Sequence, residues 1–107
     1  MRKHTDEELK ELIKRRRNQI LLHSYIYYRL FDKVISNAVY NKWAQELIDL
    51  QNDYPELSET VDHYEKFKDF KTLNGSSLPL DNNPRLEIRA RQLIKARDIE
   101  LEDNFTD

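Results

Sequence analysis

Three tyrosines, Tyr27, Tyr28 and Tyr40, are the residues best suited to hold a flat aromatic ligand. Stacking on an exposed ring contributes about 1 to 3 kcal/mol per base. Packing competes with that use. Tyr27 and Tyr40 fall on the apolar stripes of two successive segments, and tyrosine bodies are commonly buried where helices meet. Taken alone, these residues favour packing over ligand contact.

The run Lys14, Arg15, Arg16 and Arg17, with Arg2 and Lys3, is a candidate phosphate-binding strip. Four consecutive cations wrap around a helix, so only about two could face one partner. Asp6, Glu7, Glu8 and Glu11 lie about a turn away and offer ion pairs. A solvated, paired face is therefore favoured over nucleic-acid contact, because a chain of net charge -2 gains little from general attraction to DNA. The cluster Arg85, Arg89, Arg91, Lys95 and Arg97 is read in the same way.

His4, His23 and His63 are far apart and have no second ligand at helical spacing, so no metal site is expected. Asp49 and Asp53 sit one turn apart, a spacing ordinary on exposed helix faces. No catalytic constellation emerges, and the chain is read as a non-enzyme.

Which elements could position these residues is constrained by composition. The 107 residues are 36% charged and 38% hydrophobic, with six Tyr, four Phe and one Trp, enough for one small core. A single glycine, Gly75, excludes folds built on repeated tight turns. With no cysteine, disulfides and thiolate metal sites are excluded, and a cytoplasmic location is expected. No apolar run approaches the ~20 residues of a spanning helix, so no membrane association is expected.

The fold class expected is all-α. Thr5-Asp6-Glu7-Glu8 is a capping-box start, followed by Leu9, Leu12, Ile13, Ile20, Tyr27 and Leu30 at helical spacing. Ser36, preceded by Ile35 as a staple, caps a second helix carrying Tyr40, Trp43, Ala44, Leu47, Leu50 and Tyr54, which Pro55 stops. So short a connection predicts an antiparallel hairpin. Val61, Tyr64, Phe67 and Phe70 predict a short third helix, 74–83 a loop, and Asn83-Pro84 the start of a fourth helix with Leu86, Ala90, Leu93 and Ile94. Residues 1–98 form one helical domain in this reading, and 99–107 an acidic tail that frays.

The ordered set His23-Ser24-Tyr25-Ile26-Tyr27-Tyr28, then Ile35-Ser36-Asn37-Ala38-Val39-Tyr40-Asn41, then Tyr54-Pro55-Glu56-Leu57 resembles the N-terminal domain of NAD-dependent bacterial DNA ligases, over residues 9–57. In that family a paired aromatic ends the first helix, I-S-D-A-E-Y-D opens the second, and H-P-E-L closes it. The resemblance implies a domain that binds the nicotinamide mononucleotide half of NAD and closes over an adenylation domain. It places the contacting aromatics on Tyr27, Tyr28 and Tyr40, and the two contacting aspartates on Asn37 and Asn41. Both have lost their charge, and the glutamate of the motif is Val39. A neutral amide gives up the ion pairing of a carboxylate, so weak binding of NMN or NAD is expected at most.

No K-x-D-G lysine motif occurs, and self-adenylation by that chemistry is not expected. Residues 58–107 lie outside the resemblance. The reading is a non-catalytic binding or interaction module with no required cofactor and a protein partner, such as an accessory protein of a phage or other mobile element. The alternatives are a helical scaffold for protein contact or self-association, and a nucleic-acid-associated protein using the basic first helix.

Overall fold

The computed structural model describes residues 4–80 and 83–105, with side chains described up to Leu101. Local chemistry sets the first helix, α1 (Asp6–Arg29). The Glu8 N–H donates to Thr5 Oγ1 at 3.2 Å and the Thr5 N–H to Glu8 Oε1 at 3.3 Å, with three acids in the first turn. It ends in a widened turn: Leu30 N–H reaches Tyr25 O and Asp32 N–H reaches Ile26 O, with Phe31 in the left-handed region at φ 53°. Helix α2 (Asn37–Asp53) starts on Ser36, whose Oγ accepts the Val39 N–H at 3.2 Å.

The two helices run antiparallel. Contacts pair Arg16 with Glu46, Arg17 with Gln51 and Ser24 with Tyr40, so position along one falls as it rises along the other. Ile13, Ile20 and Leu21 of α1 meet Ala44, Leu47 and Ile48 of α2. Each buried side chain of this size contributes about 1.5 to 3 kcal/mol of transfer free energy.

One short helix, α3 (Pro55–Glu59), forms where none is expected, and the helix expected over Val61–Phe70 is corrected to the shorter α4 (Tyr64–Phe67). Pro55 both stops α2 and opens α3 at its first position, where its missing N–H costs nothing. His63, at φ 70°, breaks the chain between α3 and α4. The stretch 74–83 is also more than a loop. Gly75–Ser77 form a 3-10 turn capped by Asn74, and Leu78 and Leu80 insert into the core. Residues 81–82 lie outside the described residues.

Helix α5 (Pro84–Phe105) begins as expected, with Asn83 Oδ1 accepting the Leu86 N–H at 3.1 Å. It continues through the acidic stretch that was expected to fray; residues 106–107 lie outside the described residues. Among the described residues there is no strand, and the fold is all-α. Nor is any described helix long and apolar enough to cross a membrane.

Candidate functional site

The basic run of α1 divides once folded. Lys14 lies 3.8 Å from Asp62, and Arg16 donates to Glu46 at 2.7 Å beneath Trp43. Arg15 is exposed. Arg17 leaves the phosphate strip altogether, because it is fully buried. Its guanidinium donates to Gln51 Oε1, to the carbonyls of Ser58, Val61 and Asp62, and to Ser58 Oγ. Burial lowers its pKa to about 10, still protonated at neutral pH. A strip of four cations is thus reduced to scattered, mostly paired charges.

The aromatic residues behave differently. Tyr27, Tyr28, Asn37, Tyr40 and Asn41 all line one cavity of about 170 Å³ between the end of α1 and the start of α2. An apolar void of about 150 Å³ accepts one benzene-sized ring, so this space suits a single flat ring. Tyr27, expected on the buried stripe, is instead 52% exposed, because the seam opens into the cavity there. Its ring meets that of Tyr28 edge to face, centroids 4.9 Å apart.

Each remaining phenol is held. Tyr28 donates to Asn74 Oδ1 at 2.7 Å, and Tyr40 shares a 2.8 Å hydrogen bond with Ser24 Oγ. Burial pushes both hydroxyls above their ordinary pKa, so they are neutral hydrogen-bonding groups. Gly75 presses against the Ser24–Tyr40 pair: a β-carbon there would overlap Ser24 Oγ and the Tyr40 hydroxyl. The 3-10 turn therefore supports the cavity wall.

Six lining residues were missed by sequence reasoning: His23, Ser24, Lys33, Val34, Ile35 and Leu73. His23 precedes Tyr27 by one helical turn, a spacing that could have placed it beside the cavity. It is 8% exposed, tilts against Trp43 with ring centroids 5.6 Å apart, and its Nδ1 has no hydrogen-bond partner in the protein. Burial lowers its pKa, so the imidazole is neutral at pH 7. The assembly offers stacking faces, neutral hydroxyls and amides, and one lysine.

Buried His23 and half-buried His63 give a pH prediction. His63 is also lowered, first by burial and then by the charge of Lys66. Both folded-state values lie below that of the unfolded chain, so on acidification the unfolded state takes up protons first. Stability is therefore expected to fall as pH drops through about 6.5, with a slope of at most about 1.4 kcal/mol per unit for each histidine, and to level below the folded values. Glu8 and Asp32 have lowered values and add losses only in the carboxylate range. Urea midpoints at pH 7.5 and 5.5 check this; equal midpoints would contradict it.

The site defines a class: a small helical domain that resembles the N-terminal domain of DNA ligases. Over 51 residues, 48% of the chain, it is 45% identical to a DNA ligase of Pseudothermotoga lettingae and 41% identical to that of Thermotoga maritima. Over 82 residues, 77% of the chain, it is 34% identical to a DNA ligase of Thermosipho africanus. That match is longer than the 9–57 segment, so the likeness extends past the hairpin. The chain spans only 8%, 7% and 12% of these three relatives. No family model matches the chain, and no solved structure does.

Proposed function

We propose that this domain is a non-catalytic binding module whose cavity takes the aromatic ring of a nicotinamide nucleotide. One observation carries the reading: the five residues singled out by the ligase resemblance converge on a single ring-sized cavity. Asn37 and Asn41 sit in the first turn of α2, where free N–H groups favour an anionic side chain. Asparagine there keeps hydrogen bonding and loses the pairing with a cationic ring.

Titration with nicotinamide mononucleotide, followed by ring-proton NMR, tests this. The native chain is expected to bind weakly, and the Asn37→Asp/Asn41→Asp variant about tenfold to a hundredfold tighter. Micromolar binding by the native chain with no gain in the variant would overturn the role given to these positions. If neither binds, the tyrosines serve packing alone.

A second reading, a scaffold for a protein partner, is favoured by Phe31, which is 89% exposed beside Tyr27. Sedimentation with and without nucleotide separates the two. Self-association that Phe31→Ser abolishes and nucleotide leaves untouched supports the scaffold; a monomer in both conditions counts against self-association.

A further inference from the structure

The charges around the cavity all have one sign. Lys33 lines it, and no aspartate or glutamate does among the described residues. The nearest acid in sequence, Asp32, is held by Arg97 through contacts of 2.8 and 3.0 Å, which offset its charge. Helix α2, 17 residues long, places its positive end at the same wall, with Asn37 as its first residue.

His23 lines the same wall with a neutral imidazole and adds no charge of its own.

We infer that this cavity selects a flat aromatic ring bearing a carboxylate over the same ring bearing a carboxamide, with Lys33 as the recognising group. The inference rests on the reading that the cavity takes such a ring. A carboxylate only accepts hydrogen bonds, and Lys33 only donates them. A carboxamide can turn its one acceptor oxygen to Lys33 but has no net charge, so it gains the hydrogen bond without the ion pair.

The test compares nicotinate mononucleotide with nicotinamide mononucleotide, which share ring, ribose and phosphate and differ in that one group. Calorimetry on the whole chain at low salt is expected to show the acid form binding about fivefold tighter, a preference that shrinks as salt is added. Lys33→Gln is expected to remove the preference, weakening the acid form more than the amide form.

Equal affinities, or tighter binding of the amide, would overturn the charge preference and leave ring binding standing. Failure of both to bind would overturn the ring-binding reading as well. If Lys33→Gln weakens both ligands equally, Lys33 meets the shared phosphate and its assigned role is wrong.

Discussion

Arg17→Ala is expected to cost about 3 to 5 kcal/mol of unfolding free energy, the largest effect of any single substitution on α1. Arg17 has no carboxylate partner. Its fork is satisfied by three carbonyls, a hydroxyl and an amide oxygen, drawn from α2 and the 58–62 segment, with Tyr64 and Phe67 about 6.0 Å from its guanidinium carbon. Removing it strands these acceptors and opens a void beside Phe67, which is itself fully buried. A cation at the end of α3 also complements the negative pole of that short helix.

Arg17→Lys keeps the charge and loses the fork, so an intermediate loss is expected. Urea unfolding of the three proteins checks the order. A loss below about 1 kcal/mol for Arg17→Ala would mean that water replaces the guanidinium without penalty. Against a total stability of about 5 to 15 kcal/mol, the alanine variant could be largely unfolded; the lysine variant then carries the comparison.

Gly75→Ala is expected to cost about 1 to 3 kcal/mol through overpacking, although Gly75 needs no left-handed backbone. The clash is with two oxygens that bond each other, Ser24 Oγ and the Tyr40 hydroxyl. Deleting both at once, in Ser24→Ala/Tyr40→Phe, removes a satisfied pair and should be nearly neutral. On that background Gly75→Ala is expected to cost at least about 1 kcal/mol less than in the native chain, a coupling that a double-mutant cycle reads directly. Equal costs in both backgrounds would place the strain elsewhere.

The hairpin was legible because its signals are local. Thr5 to Glu8 and Ser36 to Val39 each close within three residues, and no tertiary contact is needed to read them. Arg17 was misread because a charge was assumed to face water. Its spacing from Ile13, Ile20 and Ser24 already puts it on the buried seam.

Tyr27 shows the opposite error. It continues that seam, but burial needs a neighbour as well as a stripe, and at Tyr27 the neighbour is the cavity. Beyond α2, short helices separated by a left-handed His63 leave too few residues per element for periodicity to count. The five cavity-lining positions were found through family likeness, whereas Lys33 and His23 needed the folded chain.

The acceptors that hold Arg17 set a limit on how this chain can be dissected. Four of its five hydrogen bonds reach 41 to 45 residues down the chain. Val61, Phe67, Phe70, Leu78, Leu80 and Leu86 supply half of the central cluster from the same direction. A peptide cut after Leu57, retaining every position that the ligase hairpin motif names, would keep only Gln51 of the acceptors that hold Arg17 and would have a half-built interior. It is expected to give a poorly dispersed NMR spectrum and rapid amide exchange, whereas the full chain folds cooperatively. The folding unit is thus expected to reach well past the hairpin motif, and deletion series aimed at a minimal folded fragment should begin from the C-terminal end of α5.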